Sequence, residues 1–158
     1  NIKLKRVILI INLFNILNLR KVIFMSKINS ITSIINITSA PIGRLLISFM
    51  FLMSGLNKIG NYSNTSGWME AMGVSGSLLP LVIIFEILAA VAVIVGWKTK
   101  IAAFLLAGFC IVSGLIFHSD FSNQLEIIMF MKNIAIAGGF LFLVVNGPGN
   151  FSIDNRKN

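Results

Sequence analysis

The fold is decided by residues 78–97, LLPLVIIFEILAAVAVIVGW, a run that carries one charged residue, Glu86, and one proline, Pro80. About 20 consecutive apolar residues are enough to cross the hydrocarbon core of a bilayer as a helix. Backbone groups in lipid must satisfy their hydrogen bonds within a helix or a closed barrel, because no water is available there. The run therefore predicts a membrane-spanning helix.

Three further apolar runs share this character, at 42–59, 101–117 and 127–146. The connections after 97 and after 117 are short, and short connections place neighbouring helices antiparallel. The sequence therefore predicts an all-α integral membrane protein, an up-down four-helix bundle with the lipid bilayer as its surroundings. Only 11% of the 158 residues are charged, against about 25% in soluble domains, which argues against a water-soluble domain or a disordered chain.

The net charge of +8 is concentrated near the start of the chain. Residues 1–24 hold five of the 13 lysines and arginines and no acidic residue, and the later cations lie singly or in pairs beside the apolar runs. Nucleic-acid binding needs clustered cations on a wet face, so we expect no nucleic-acid partner. Loop lysines and arginines mark the cytoplasmic side of membrane proteins. The pattern predicts that both termini and the 98–100 loop are cytoplasmic.

The chain divides into three parts by composition. Residues 1–41 are expected to form a poorly structured or interfacial extension, of which 1–24 is interpreted as a mis-annotated stretch before a natural start at Met25 or as a loose tail. Residues 42–154 form the four-helix transmembrane domain, and 155–158 form a cytoplasmic tail. No metal site is predicted, and the lone cysteine, Cys110, allows neither an intrachain disulfide nor a CxxC pair.

Polar residues inside or at the ends of the apolar runs are the strongest functional signal. Charged groups in hydrocarbon are costly, so they should face the bundle interior and find partners. One half of the bundle collects residues from four helices: Lys58, Glu86, His118, Lys132 and Asn133. We take Glu86 and His118 as candidate catalytic residues, with Lys58, Lys132 and Asn133 as candidate ligand-binding residues. The alternative is a structural clamp that holds the helices in register.

Arg44 lies at the opposite end of the first run. We include it among the candidate ligand-binding residues. The simpler interpretation of its position is a topology anchor whose side chain snorkels to the interface.

Short segments spread over residues 42–154 resemble the DoxX family of membrane proteins. They are GRLL (43–46), SGLNKI (54–59), FEI (85–87), VGWKTK (95–100), IFH (116–118), FMKNIA (130–135), GG (138–139) and GPGNFSID (147–154). The resemblance implies a four-span inner-membrane protein, and relatives in this family are linked to redox work on quinones or sulfur compounds. All six candidate site residues fall within these segments.

Two functional hypotheses follow. The first is a redox-associated membrane subunit that binds a quinone or a small sulfur compound. If it is an enzyme, it is an oxidoreductase subunit acting with a quinone or a partner redox protein, because the chain itself has no evident electron carrier. The second is a non-enzymatic small-molecule carrier or a scaffold for a soluble partner enzyme, and a four-span carrier would need to form a homo-oligomer.

Overall fold

The computed structural model describes the backbone of residues 2–157 and the side chains of residues 18–35 and 37–156. This part of the chain is helical and contains no strand. Its α-helices are α1 (Ile2–Gly60), α2 (Tyr62–Ala71), α3 (Leu79–Val95), α4 (Thr99–Phe117) and α5 (Gln124–Asn146). Short 3-10 turns lie at Gly76–Leu78 and Asp154–Lys157.

Four segments are long and apolar enough to cross a membrane: Asn18–Gly60, Gly76–Val95, Thr99–Phe117 and Gln124–Asn146. The predicted fold class, an all-α membrane bundle, is confirmed. The last three segments agree closely with the apolar runs at 78–97, 101–117 and 127–146, because the length that must lie in lipid and the length of the helix nearly coincide there.

The first helix extends well beyond the apolar run at 42–59, since α1 begins at Ile2. An apolar run marks what can lie in lipid, whereas a helix continues until a residue breaks it. Residues 26–41 are rich in Ser, Thr and Asn but contain no glycine, and their one proline is Pro41. The interfacial position expected for 1–41 stays a prediction, and the side chains of 1–17 lie outside the described residues.

The chain divides into two compact units, residues 1–38 and 39–158. In the first unit, every described side chain from 18 to 38 is exposed. The second unit holds a hydrophobic core built largely from small residues of α3, α4 and α5, together with Phe51 of α1. Ala90, Ala103 and Cys110 are fully buried in this core. Small side chains let membrane helices approach one another closely, which is how such a bundle packs.

Capping residues mark where the helices end and begin. Gly96 has a φ of 74° and closes α3 in a Schellman arrangement, in which the Trp97 N–H donates to the Ala92 carbonyl and the Gly96 N–H donates to the Val93 carbonyl. At the other end of the bundle, the Asn123 side chain accepts a hydrogen bond from the Leu125 N–H and caps α5. The two short connections, 96–98 and 118–123, therefore lie at opposite ends.

Candidate functional site

A cavity of about 360 Å³ lies at the end of the bundle where α1 finishes and α5 begins. Every α-helix contributes to its lining, from Ser54 and Lys58 on α1 to Asn133 on α5. Most of the wall is apolar, and the polar side chains are few. A largely apolar pocket with a few convergent polar groups is the usual form of a small-molecule site.

An ion pair forms the polar centre of this cavity. The Lys58 Nζ atom lies 2.9 Å from Oε2 and 3.0 Å from Oε1 of Glu86, and it also donates to the Ser54 hydroxyl at 2.5 Å. The Glu86 side chain is 3% exposed and the Lys58 side chain is 23% exposed. Removing a charge from water costs several kcal/mol unless an opposite charge and hydrogen bonds compensate, and here the two residues supply both.

Gly55 explains why α1 and α3 come close enough for this pair to form. A Cβ atom at Gly55 would lie 2.7 Å from the Ile87 Cγ1 atom, closer than real Cβ contacts allow. Gly55 is buried and is adjacent to Ser54 on the helix that carries Lys58. A larger residue would push the two helices apart at the level of the ion pair.

His118 is the residue that ends α4, and its imidazole lines the same cavity. Its Nδ1 atom lies 2.7 Å from Oε2 of Glu126, in the first turn of α5. The His118 side chain is 22% exposed and the Glu126 side chain is 31% exposed. One imidazole thus lines the cavity while it is held by a carboxylate that reaches water.

Aromatic rings close the cavity on the α2 side. The Trp68 and Phe117 rings are stacked, with centroids 4.6 Å apart and an interplanar angle of 23°. Phe109, deeper in the bundle, lies in edge or tilted contact with Phe51 and Phe85. Flat aromatic walls of this kind suit a flat apolar ring.

Lys132 and Asn133 are adjacent in sequence and differ in placement. Asn133 lines the cavity, and its Nδ2 atom donates to the Met129 carbonyl. Gly114 of α4 makes room for it, because a Cβ there would lie 3.2 Å from the Asn133 Cβ. Lys132 is exposed, does not line this cavity and pairs with no acid among the described residues.

Arg44 also lies apart from the cavity. Its side chain is buried, with the whole residue 2% exposed, and Nη2 donates to the Phe151 carbonyl at 2.7 Å. Its Nε and Nη1 atoms have no hydrogen-bond partner in the described part of the chain. The structure therefore buries this arginine rather than extending it to an interface.

Residues 149–154 fold back over the end of α3 and the start of α4, and together with Arg44, Gly96 and Thr99 we call them the clasp. The Ile153 and Asp154 N–H groups donate to the Val95 and Gly96 carbonyls. The Asp154 carboxylate accepts from the Lys98 N–H at 2.8 Å and from the Thr99 N–H and hydroxyl at 2.9 and 2.8 Å. Asp154 thus caps α4 as an N-cap residue would, from a distant part of the sequence.

Of the six candidate site residues, the structure brings four to the cavity: Lys58, Glu86, His118 and Asn133. Sequence reasoning did not identify Glu126 as the partner of His118 or Trp68 as part of the wall. Glu126 lies eight residues after His118, beyond a loop, and its one signal was the Asn123 cap that fixes the first turn of α5. Trp68 lies in a polar Gly/Ser-rich stretch between two apolar runs, where no local pattern indicates that it lines a cavity.

The arrangement can hold a small, mostly apolar molecule by its polar end. The neutralised ion pair, the imidazole and the Asn133 amide offer hydrogen bonds, while the aromatic wall covers an apolar ring. The imidazole can also exchange a proton with a bound molecule, since each ring nitrogen can donate or accept one.

Comparison with known proteins places the chain among inner-membrane proteins. Inner membrane protein YqjF of Escherichia coli (strain K12) is 43% identical over 117 residues, covering 74% of this chain and 90% of that protein. Inner membrane protein YphA of the same organism is 30% identical over 122 residues, covering 73% of this chain and 87% of that protein. A third relative, the Surfeit locus protein 4 homolog of Schizosaccharomyces pombe, is 34% identical over 122 residues, which are 73% of this chain and 36% of that protein.

No solved structure matches the chain. The DoxX family model matches residues 40–119, which include α1 from Ala40 onward, the whole of α3 and α4, and the Lys58–Glu86 pair. Together with the close relationship to YqjF, this match confirms the family resemblance that the short segments indicate. The chain belongs to the DoxX family of membrane proteins.

Proposed function

We propose that this protein is a redox-linked inner-membrane subunit that binds the ring of a quinone in the cavity between α1, α3, α4 and α5. The observation that carries the proposal is the cavity itself, which is lined together by a compensated ion pair, an imidazole, an amide and aromatic rings. The names of the two Escherichia coli relatives support the inner-membrane location.

The size and chemistry of the cavity fit such a ring. Its volume of about 360 Å³ lies at the lower end of ligand pockets, which span about 300–1,000 Å³. Phe109, Phe117 and Trp68 offer faces and edges to a flat ring. Because Lys58 neutralises Glu86, the cavity does not place an unpaired charge against an apolar ligand.

The residues of the chain would take distinct roles. His118 would exchange a proton with the oxygen at one end of the ring, and the Asn133 amide would orient that ring by hydrogen bonding. The Lys58–Glu86 pair would fix the floor of the cavity. When bound, a quinone exchanges two electrons and two protons with its surroundings, and we assign the electron exchange to a partner redox protein.

The two tryptophans provide the test, because they lie at opposite ends of the bundle. Trp68 lines the cavity, whereas Trp97 lies beside the clasp with Lys98 over its ring. Quinones quench indole fluorescence on close approach. We expect a short-chain benzoquinone to quench the Trp97→Phe protein, in which Trp68 reports, with a saturable curve. The Trp68→Phe protein should show only the weak linear quenching of a ring dissolved in the lipid.

Variants then locate the binding site. His118→Phe and Glu86→Gln should weaken saturable quenching about tenfold, in keeping with the loss of a buried hydrogen bond or charge partner. Lys132→Met is the matched control, since Lys132 is exposed and outside the cavity, and it should leave the curve unchanged. Equal linear quenching of both single-tryptophan proteins would reject the proposed function.

We also propose that the clasp end faces the cytoplasm and the cavity end faces outward. Lys98, Lys100 and Arg156 gather at the clasp end, and loop cations favour the cytoplasmic side. A membrane-impermeant thiol reagent should label Ser119→Cys but not Asn150→Cys in intact cells. The native Cys110 is buried and should stay unlabelled. Reversed labelling would reject this orientation.

A further inference from the structure

The polar atoms of the cavity differ in the hydrogen bonds they have left to offer. A lysine ammonium has three donors. All three on Lys58 face an acceptor, namely Ser54 Oγ and the two oxygens of Glu86. The Glu86 carboxylate offers about four lone-pair positions, of which Lys58 and Ser54 occupy three. The ion pair therefore offers a ligand an acceptor and no donor.

Glu126 likewise leaves His118 with an acceptor, and no donor, to offer a ligand. An ionised carboxylate can only accept hydrogen bonds, so the proton between Nδ1 and Glu126 Oε2, 2.7 Å apart, belongs to the ring. In the neutral imidazole, a proton on Nδ1 leaves Nε2 as an acceptor. Glu126 lies in the first turn of α5, where the helix dipole favours a negative charge.

We infer that Glu126 is a positioning residue that holds His118 with its proton on Nδ1, and that the cavity thereby selects the hydroxyl-bearing, reduced form of its aromatic ligand over the carbonyl form. The choice of an aromatic ring rests on the proposed function. Glu86 and His118 both line the cavity, and each has an acceptor left, one carboxylate position and Nε2, that a hydroxyl can pair with and a carbonyl cannot. A site with buried polar groups rejects an analogue that leaves them unpaired.

Asn133 does not oppose this selection. Its amide has both a donor and an acceptor side, and Nδ2 already gives one hydrogen to the Met129 carbonyl. The remaining atoms of the amide can serve a hydroxyl or a carbonyl equally well. The discrimination therefore depends on Glu86 and on the His118–Glu126 pair.

The protonation state of His118 can be read directly, because it is the one histidine of the chain. Protein labelled with ¹⁵N in the imidazole and reconstituted in lipid bilayers gives one pair of ring-nitrogen signals. At a pH where titration of these signals shows the ring to be neutral, we expect Nδ1 to carry the proton and Nε2 to be bare. Glu126→Ala should abolish this preference.

Asp120→Ala is the matched control for Glu126→Ala, since it removes an exposed carboxylate from the same loop region without touching His118. It should leave the imidazole signals unchanged. A proton on Nε2 in the unaltered protein, or ring signals that ignore Glu126→Ala, would overturn the role of Glu126. This measurement needs no ligand, so it stands apart from the proposed function.

Ligand selectivity is tested by competition against the quenching of Trp68. The competitors are a short-chain benzene-1,4-diol and its dimethyl ether, which has the same ring and stands in for the carbonyl form because its oxygens can accept hydrogen bonds but donate none. We expect the diol to compete at about tenfold lower concentration, the ratio that one buried hydrogen bond supplies. Glu126→Ala should bring the two competitors within about threefold, and Asp120→Ala should preserve the full ratio.

The outcomes separate the two claims. Binding of the diol and the ether with equal strength would overturn the selectivity while leaving a quinone site in place. Failure of every ring to bind would reject the proposed function and the ligand class with it, while the imidazole signals would still decide the role of Glu126.

Discussion

Arg44 and Lys58 are both buried or half-buried cations of α1, one at each end of the bundle, and their surroundings differ. Arg44 belongs to the clasp, where it is buried and donates to the Phe151 carbonyl, and it does not line the cavity. Lys58 is paired with Glu86 at the floor of a cavity. The clasp end uses its polar groups to close the protein on itself, whereas the cavity end leaves some of them facing open space.

The difference shows how a binding site can be told from a structural cluster. At the clasp, the Asp154 carboxylate accepts hydrogen bonds from three donors at the start of α4. At the cavity, Glu86, His118 and Asn133 line open space and keep hydrogen-bonding capacity beyond their partners within the protein. We therefore propose the ligand site where buried charge borders unfilled space, and not at the clasp.

The largest expected effect tests whether the Lys58–Glu86 pair is structural as well as functional. Lys58→Met leaves the Glu86 carboxylate buried without a partner, so we expect the free energy of unfolding to fall by about 3 kcal/mol. The double variant Lys58→Met/Glu86→Gln should recover most of this loss. Equilibrium unfolding in lipid bilayers measures both.

Lys132→Met is the matched control for Lys58→Met, with the same substitution on an exposed, unpaired lysine of the described chain. A change below about 0.5 kcal/mol is expected there. Equal losses of unfolding free energy for Lys58→Met and Lys132→Met would contradict this comparison. They would mean that a lysine paired with a buried carboxylate contributes no more to stability than an exposed one.

Substitution of Gly96, in the clasp, should destabilise the protein by a different mechanism. Its φ of 74° is unfavourable for any residue with a Cβ, and a Cβ there would overlap Arg44 Nη1 and Ser152. Gly96→Ala should therefore lower the free energy of unfolding by about 2–3 kcal/mol. Gly108→Ala, with open space around its Cβ, should change it by less than about 1 kcal/mol.

Gly96→Ala also sharpens the comparison between the two ends. Saturable quenching of Trp68 by a quinone should persist in the folded fraction of this variant, because the clasp contributes no residue to the cavity. Loss of that quenching in folded protein would mean that the two ends are coupled.

Removing the Asp154 cap at the start of α4 should lower the free energy of unfolding by less than Gly96→Ala does. Asp154→Ala leaves the Lys98 and Thr99 N–H groups without their carboxylate, and loss of such a cap costs about 1 kcal/mol. Asp154→Asn should retain part of the stability. Asp120→Ala, which removes an exposed carboxylate at the cavity end, should leave the free energy of unfolding nearly unchanged.

The smallest effect concerns Asp120, in the loop at the cavity end. Hydrogen bonds from the Ser122 hydroxyl and N–H lower the pKa of this carboxyl below its ordinary value. Its contribution to stability is therefore present above the unfolded-state pKa and is lost as the pH falls through the folded-state pKa. Ser122→Ala should raise the pKa back toward its ordinary value.

The Asp120 titration can be followed because the chain has two aspartates, Asp120 and Asp154. Carboxyl ¹³C labelling of aspartate gives one signal for each end of the bundle. The Asp154 signal should not move in Ser122→Ala. A shift of both signals would show that a change in the loop at the cavity end also alters the surroundings of Asp154 in the clasp.

The sequence predicts the membrane helices well and the facing of side chains poorly. The apolar runs identify α3, α4 and α5 within a few residues, because burial in lipid imposes a minimum length on each. Lys132 and Asn133 show that the apolar runs do not indicate the direction in which a side chain points. Adjacent helical residues point about 100° apart, and the packing of the bundle decides that Asn133 lines the cavity while Lys132 does not.

The partners of Arg44 and of His118 could not be predicted from the sequence for a different reason. The acceptor of Arg44 lies 107 positions later in the chain, and the partner of His118 lies beyond a loop. Local patterns carry no information about such pairs. The candidate polar residues could be selected because charges are rare in lipid, but their division between clasp and cavity required the tertiary structure.

The clasp also has a consequence for how the chain is made. Arg44 emerges from the ribosome long before Phe151, and it enters the membrane with its first span while its acceptor does not yet exist. Until the last span has been inserted, the start of α4 lacks the Asp154 carboxylate as well. The clasp therefore cannot close before the last apolar helix and the segment that follows it have been made.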